Sequence, residues 1–456
     1  MTDTSVAHDQ EAKRYPLSFT QEWFTTMDQG DEGGPFGLKY VLVIAVRITG
    51  HVDLEILQGA LDDVVERHEL LRTLVVRDAD PPYQQVCPPC QVPLEVRDIT
   101  PAAGKTRDLV IQELIVEAQA GKMSARAVPM MRALLSRFDD RDSALFLTVH
   151  HSVSDGWSVQ VILHDLGAFY AARVSGTPAE LPEMQQYREY AQWQRTTVTD
   201  TSDDGAMSYW ADKLDGAQQF LLPNDHGHPE RYSRPFSLHV FSIDAETMAR
   251  AGDLASATRG TLFTVMLSAV YVLANQLTGA TDLTQPAITA GRNELVFQNT
   301  MGLFLNVLPF RTEIADCTSF RDIVLKARET FIDAMANELP AGVLEETFPG
   351  YIKSRENTRL SQFLLSATPF QYGDVTLPIA EGAKEINELL LEEEESSDIP
   401  SGTVWYLATL ADRALSAAVH FNLDEFDEGT VAGWSAGFKK IMANAVRDPD
   451  QDWRQL

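Results

Sequence analysis

Residues 144–158 read ALFLTVHHSVSDGWS, and this stretch says most about the fold of the chain. Residues 144–149 are a short apolar run next to charged residues, which is typical of a buried β-strand. Ser154, Asp155 and Gly156 then favour a tight turn. Ser154 or Asp155 can cap a following helix, and Gly156 permits close approach of the backbone. The sequence therefore predicts a strand, a turn and a helix, with polar side chains gathered at the turn.

His150 and His151 are the candidate catalytic side chains of this turn. In an extended segment neighbouring side chains point to opposite faces, so one imidazole can face a cavity while the other packs in support. Most histidines in proteins are satisfied core or surface residues, and a short motif is only a hypothesis about function. The two histidines alone leave both a structural and a catalytic role open.

The overall composition is that of an ordinary globular protein with no nucleic-acid partner. The chain has 456 residues, of which 44% are hydrophobic and 23% charged, values typical of folded domains. Its net charge of -29 opposes binding to polyanions, which requires clustered Lys and Arg. Residues 1–24 lack a cationic segment followed by an apolar stretch. We therefore expect a cytoplasmic protein without a membrane partner.

The three cysteines are Cys87, Cys90 and Cys317, too few for a disulfide framework. Cys87 and Cys90 have the spacing of a redox motif, but two prolines separate them and no helix start follows. A structural zinc site needs four ligands, and no second pair is visible. The expectation is that the chain holds no metal and uses no thiol chemistry.

Helical and strand patterns alternate along the whole chain without a repeat, which predicts an α/β fold. A Pro and Gly cluster at residues 175–182 marks the expected boundary between a lobe of residues 1–178 and a lobe of residues 179–456. A first helix should begin near Ser18, which can cap it. The other predicted strands cover residues 40–48, 71–76 and 414–422, and the other predicted helices cover 53–68, 105–120, 157–172, 184–214 and 428–445.

Residues 149–158 resemble the central motif of the condensation domains of nonribosomal peptide synthetases, including the trailing Trp157 and Ser158. Four further segments resemble motifs of the same family, in order and spacing. They are residues 17–23 (LSFTQEW), 67–73 (RHELLRT), 187–194 (YREYAQWQ) and 301–306 (MGLFLN). The resemblance covers essentially the whole chain.

The resemblance implies a fold that the periodicities do not indicate. It is a pair of lobes similar to chloramphenicol acetyltransferase, set in a V with an active-site tunnel between them. It also implies a donor, an acyl thioester on the phosphopantetheine arm of a carrier protein, and a small-molecule or carrier-bound acceptor with an amine or a hydroxyl. No cofactor bound by the chain itself is implied.

The resemblance also assigns roles to individual residues. His151 is the implied catalytic imidazole, and Asp155 forms a structural ion pair with Arg292, which lies in the segment AGRN. Backbone N–H groups near Gly156, at the start of a helix, are the expected oxyanion donors. The supporting residues of the site are His150, Trp157 and Ser158, and the candidate tunnel-lining residues are Gly302, Phe304 and Asn306.

Three departures from the family pattern occur late in the chain. Val307 replaces the final Thr of the fifth motif, residues 340–342 read PAG where the sixth has Pro-Phe-Glu, and the seventh is not recognisable near residues 359–363. These departures argue against a standard acceptor on a downstream carrier. The chain also shows no carrier motif and has no room for an adenylation domain. We therefore expect a carrier protein supplied in trans and a free small-molecule acceptor.

Three alternatives on the same fold stay open. A plant-type acyl-CoA acyltransferase would carry Asp-Phe-Gly-Trp-Gly, for which residues 432–435 (AGWS) are no substitute. An epimerisation domain shares the central motif but is normally embedded in a larger synthetase. A non-catalytic recruitment domain usually loses the second His or the Gly, and here His151 and Gly156 are both present. The sequence leaves the substrates, and the choice between ester and amide, undetermined.

Overall fold

A computed structural model describes residues 13–200, 204–229, 236–351, 360–372, 376–386, 402–410 and 413–456. Over these residues the chain is a mixed α/β protein, as the alternating patterns predicted. The segment of the unrecognised seventh motif begins at Arg359, which lies outside the described residues.

The strands that the structure describes fall along the whole chain. They are β1 (Arg14–Pro16), β2 (Val41–Thr49), β3 (Thr73–Val76), β4 (Tyr83–Val86), β5 (Leu94–Asp98), β6 (Met131–Asp139), β7 (Asp142–His150), β8 (Leu221–Pro223), β9 (Phe236–Ile243), β10 (Asp282–Thr289), β11 (Asn306–Glu313), β12 (Leu360–Tyr372), β13 (Thr376–Leu377), β14 (Gly382–Glu385), β15 (Thr403–Leu410) and β16 (Leu415–Asn422).

The α-helices are interspersed with these strands. They are α1 (Phe19–Thr26), α2 (Leu54–Arg67), α3 (Arg107–Ala120), α4 (Gly156–Ser175), α5 (Tyr187–Asp200), α6 (Asp204–Leu214), α7 (Ala245–Ala257), α8 (Leu262–Thr278), α9 (Phe320–Ala336), α10 (Ala341–Thr347) and α11 (Glu428–Arg447).

The first large sheet carries the central motif. Its strand order is β13-β14-β2-β7-β6-β5, with β7 in the interior between β2 and β6. β2 and β7 are antiparallel, and Val41 pairs with His150 at the end of the ladder. The apolar side chains of β7 are buried on both faces of the sheet, because helices α2 and α4 cover one face with residues such as Leu61 and Leu166, and α3 covers Phe146 on the other. This packing fixes the point where β7 ends and the turn at residues 151–155 begins.

The second large sheet has the order β11-β10-β12-β15-β16-β9. Helices α8 and α11 pack on one of its faces. In the core of this layer, Trp405 of β15 contacts Phe438 of α11. The ends of β10 and β11 nearest to the first sheet hold Thr289 and Asn306, which are paired in register. The segment between these two strands carries Arg292 and reaches the central motif.

A clean division at residues 178 and 179 does not describe these sheets. β14 belongs to the late part of the chain, yet it pairs with β2, placing Gly382 opposite Thr49 in the first sheet. Tyr187 and Tyr190 pack with the hydrophobic core of the first sheet as well. The first sheet therefore takes a strand from the late part of the chain, and the boundary between two lobes at residues 178 and 179 stays a prediction.

Most predicted elements are present within one or two residues of their expected bounds. Ser18 caps α1 in a capping box with Gln21, and Asp53 caps α2. Within the predicted helix of residues 184–214 the structure describes two helical stretches, α5 and α6, and residues 201–203 between them lie outside the described residues.

Within the described residues, no single helix has the length and apolar character to cross a membrane. The bent pair of α7 and α8, which meet at 105°, passes that test only when the two helices are taken together.

Candidate active site

The central motif folds as a strand, a short turn and a helix. β7 ends at His150, residues His151–Val153 form one turn of 3-10 helix, and α4 begins at Gly156. Asp155 is the residue before α4, and its side chain accepts a hydrogen bond from the Ser158 N–H. The predicted local architecture is therefore confirmed, with Asp155 as the cap.

His150 is a buried, neutral support residue. Its Nε2 lies 3.2 Å from the carbonyl oxygen of Gly37, and its Nδ1 accepts a hydrogen bond from the Ser152 N–H at 3.1 Å. Since Nδ1 accepts, the proton of the neutral ring is on Nε2 and is donated to Gly37. Burial lowers the pKa of His150 to about 4. Every nitrogen of this ring is used in holding the turn in place.

His151 presents a free basic nitrogen. Its Nδ1 lies 2.8 Å from the carbonyl oxygen of Ser154, and because a carbonyl can only accept, Nδ1 carries the proton of the neutral ring. Among the described residues, none is bonded to Nε2. The half-buried ring stacks on Tyr40, with centroids 4.7 Å apart and planes 12° from parallel. Nε2 therefore keeps its lone pair in an orientation fixed by two contacts.

Tyr40 is a site residue that sequence analysis missed. Its carbonyl oxygen accepts a hydrogen bond from the His151 N–H at 2.8 Å, beyond the last β2–β7 pair of Val41 and His150. The only signal in the sequence is that Tyr40 opens the predicted strand of residues 40–48. The pairing of that strand with β7, on which the contact depends, cannot be deduced from the strand itself.

The environment of His151, the predicted catalytic imidazole, sets the pH dependence that we expect. Burial lowers its pKa from the ordinary value of 6.5. A general base must be unprotonated, so activity is lost as pH falls through the pKa of the base. We expect the acidic limb of kcat/KM to lie below pH 6.5, measured between about pH 5 and pH 8. An acidic limb above that value, with circular dichroism showing an intact fold, would contradict this assignment.

Asp155 and Arg292 form the predicted ion pair. Nη2 of Arg292 lies 3.2 Å from Oδ1 and 3.3 Å from Oδ2 of Asp155. The Asp155 carboxylate also accepts from the backbone N–H of Ser158 at 2.8 Å and of Phe304 at 3.0 Å. Both charged side chains are buried. The pair therefore joins the first turn of α4 to the segment between β10 and β11.

Arg292 is held on several sides. Its Nη1 donates to the carbonyl oxygens of Phe297 at 3.0 Å and Thr300 at 2.6 Å. Its guanidinium lies over the ring of Phe304, 3.8 Å from the centroid, and 5.6 Å from the ring centroid of Trp157. Burial lowers the pKa of Arg292. A guanidinium remains charged in this setting, so it can compensate the buried carboxylate.

Ser158 and Trp157 strengthen the same junction. The Ser158 hydroxyl lies 2.7 Å from Oδ1 of Asp155 and accepts a hydrogen bond from the Gly302 N–H at 2.9 Å. The indole N–H of Trp157 donates to the carbonyl oxygen of Gln298 at 2.8 Å. Both residues thus support the turn from α4, as expected for the supporting positions of the motif.

Gly302, Phe304 and Asn306 make packing and hydrogen-bonding contacts, and the tunnel-lining role expected for them stays a prediction. A Cβ on Gly302 would lie 2.1 Å from the Tyr187 ring, so the ring occupies the space of a side chain. Phe304 is only 1% exposed and faces protein on all sides. The amide of Asn306 donates to Glu338 at 2.8 Å. The motif alone did not indicate these contacts with neighbouring residues.

Gly156 is the first residue of α4. The first N–H groups of a helix have no acceptor within the helix, and the helix dipole favours negative charge there. In the part of the chain that the structure describes, no acceptor is bonded to the Gly156 N–H. The position suits the oxyanion role, which stays a prediction.

Known structures and sequences resemble this chain over nearly its full length. SgcC5 from Streptomyces globisporus superimposes with a TM-score of 0.87 at 33% identity, over 96% of this chain and 100% of that one. The X-domain from teicoplanin biosynthesis has a TM-score of 0.76 at 22% identity, over 97% of both chains. That second likeness concerns the fold alone.

Sequence comparison agrees with the structural one. Chondramide synthase cmdD from Chondromyces crocatus is 30% identical over 439 residues, which are 95% of this chain. The chain spans only 11% of the length of that synthase. A family model of the condensation domain matches residues 11–456. With its fold and its central motif, the chain belongs to the condensation domain family.

Proposed function

We propose that this protein transfers an acyl group from a phosphopantetheine thioester, carried by a separate carrier protein, to a hydroxyl group of a free small molecule. The product is an ester. The observation that carries the proposal is the basic Nε2 of His151, whose orientation is fixed because Nδ1–H is donated to the Ser154 carbonyl oxygen at 2.8 Å.

In the proposed reaction the acceptor oxygen attacks the thioester carbonyl while Nε2 of His151 removes the hydroxyl proton. The Gly156 N–H would stabilise the oxyanion of the tetrahedral intermediate. Collapse of the intermediate forms the ester and breaks the C–S bond. The imidazolium then returns the proton to the departing phosphopantetheine thiolate. The phosphopantetheine is a substrate group in this scheme, and the chain supplies only the base, the oxyanion donor and the positioning.

Two observations support a free alcohol as acceptor. An alcohol needs a base to become a nucleophile, whereas a neutral amine already presents its lone pair. SgcC5 was solved in complex with (R)-(-)-1-(2-naphthyl)-1,2-ethanediol, a free diol. The altered motifs at Val307 and at residues 340–342 are in keeping with an acceptor that is not attached to a downstream carrier.

The test is a rate comparison with one carrier-bound acyl donor and three acceptors. These are a free alcohol, the free amine of the same skeleton, and that amine on a carrier protein, with products identified by mass. We expect the free alcohol to give an ester. In His151→Ala the rate should fall more with the alcohol than with the amine, because only the alcohol depends on the base. Exclusive use of the carrier-bound amine would overturn the proposal.

The same assay separates the alternatives. An epimerisation domain would invert the donor without forming a bond, and an acyl-CoA acyltransferase would accept the free coenzyme thioester in place of the carrier. A recruitment domain would give no product. The His151 ring, oriented by its hydrogen bond to Ser154, and the Gly156 N–H at the start of α4 favour the condensation reaction over that last alternative.

A further inference from the structure

Glu338 lies in the connection between α9 and α10, where its carboxylate is half-buried. It accepts hydrogen bonds from three neutral side chains of the second sheet. Oε1 accepts from Asn306 at 2.8 Å and from the Thr289 hydroxyl at 3.3 Å, and Oε2 accepts from Asn293. These donors stand at the end of β10, in the segment that carries Arg292, and at the start of β11. The carboxylate therefore joins the elements that reach the catalytic turn.

The hydrogen bonds that Glu338 accepts favour its ionised form. The amide of Asn306 is oriented by its own oxygen, which accepts from the N–H of Ala341 at 2.8 Å and of Val307 at 3.0 Å. Its NH₂ group must then face Glu338. Both carboxylate oxygens accept, an arrangement that favours the charged form. Burial acts in the opposite direction and raises the pKa of Glu338 above its ordinary value.

No cationic side chain within the described ranges lies at ion-pair distance from Glu338. Arg292, which directly precedes the Glu338 partner Asn293, has Nη2 on Asp155 and Nη1 on two carbonyl oxygens. Neutral donors compensate a buried carboxylate less completely than a cation does. A ligand that brings its own positive charge would compensate this carboxylate more completely.

Glu338 is connected to the candidate active site through its hydrogen-bond partners. Its partner Asn293 directly follows Arg292, and its partner Asn306 follows Leu305, whose carbonyl oxygen accepts from Thr20 of α1 at 3.1 Å. The pKa of Tyr190 is raised mainly by burial and secondly by the negative charge of Glu338. Hence Glu338 lies on the second-sheet side of the same junction that holds the Asp155 pair and, through it, the turn of His151.

We infer that Glu338 binds a protonated amine of the acceptor, distinct from the hydroxyl that is acylated. The acceptor class is therefore an amino alcohol, and this inference rests on the proposed function. A charge-assisted hydrogen bond between the ammonium and the carboxylate would orient the acceptor. The net charge of -29 would also raise the local concentration of a cationic small molecule over that of a neutral or anionic one.

The experiment compares two acceptors that differ in one group. One is 1-(2-naphthyl)-1,2-ethanediol, the diol of the SgcC5 complex, and the other carries a dimethylamino group in place of one hydroxyl. A tertiary amine forms no stable amide, so it reports on binding alone. Affinity for each is measured by calorimetry without donor, and KM is measured with a carrier-bound donor. We expect wild type to prefer the amino alcohol, and Glu338→Gln to reduce that preference about tenfold to hundredfold.

Two further variants separate charge from folding. Glu338→Asp keeps the charge and should retain the preference. Asn293→Ala removes one neutral donor and should retain it as well. Two results would overturn the inference. One is a wild-type protein with no preference for the amino alcohol. The other is a Glu338→Gln variant that keeps the full preference, provided that its thermal unfolding shows a folded protein. A failure of the proposed function would look different. The calorimetric preference for the amino alcohol would remain, but neither acceptor would give an ester.

Discussion

His151→Ala is expected to lower kcat by about 100- to 10,000-fold, the range that general base catalysis supplies, while the protein remains folded. Nε2 of this ring has no bonding partner among the described residues, so its removal deletes the base without breaking a hydrogen bond made by that atom. The lost contacts are the stacking on Tyr40 and one hydrogen bond to the Ser154 carbonyl. Single-turnover assays with a carrier-bound donor give the rate, and thermal unfolding gives the stability.

His164→Ala is the matched control. His164 lies on α4, the helix that follows the catalytic turn, and its side chain is 60% exposed. The change removes an imidazole near the site without removing a group that faces the reacting atoms. Turnover should stay close to wild type. If His151→Ala instead kept near wild-type turnover, the mechanism would be wrong at its central step.

Local structure around the site could be predicted because its causes are local. Capping by Ser18 and Asp53 follows from side chains that accept N–H groups of their own helix, and a sequence displays such partners three residues apart. The apolar run of β7 is buried, as its composition predicted. The turn at Asp155 has the same local origin, so the strand, turn and helix were all foreseeable from residues 144–158.

Contacts between distant segments could not be predicted in the same way. Tyr40 stacks on His151 only because β2 and β7 pair in one particular register. β14 joins the first sheet from far along the chain, and no local pattern marks that pairing. Arg292 was assigned to Asp155 from the family resemblance, since 137 residues separate them. The hydrogen bonds of Glu338 come from three separate segments, and no motif marks the residue in the sequence.

Arg292→Ala is expected to destabilise the protein by about 3–5 kcal/mol, the cost of leaving a buried charge unpaired. Asp155 would keep its hydrogen bonds to the N–H groups of Ser158 and Phe304 but would lose its only cation among the described residues. The carbonyl oxygens of Phe297 and Thr300 would also lose the donors that Nη1 supplies. The free energy of unfolding, measured by urea denaturation, tests the size of the effect.

Asp155→Asn should cost less than Arg292→Ala, and this asymmetry is the sharper test of the ion pair. An asparagine still accepts the capping hydrogen bond of α4 through its side-chain oxygen, and Arg292 still donates to two carbonyl oxygens. Rates measured below the transition of each variant then separate loss of catalysis from loss of folding. We expect both variants to lose rate as well, because the turn that orients His151 is held through this junction. Equal stability of Arg292→Ala and wild type would mean that the pair does not hold the turn, and the position of His151 would then depend on Tyr40 and Ser154 alone.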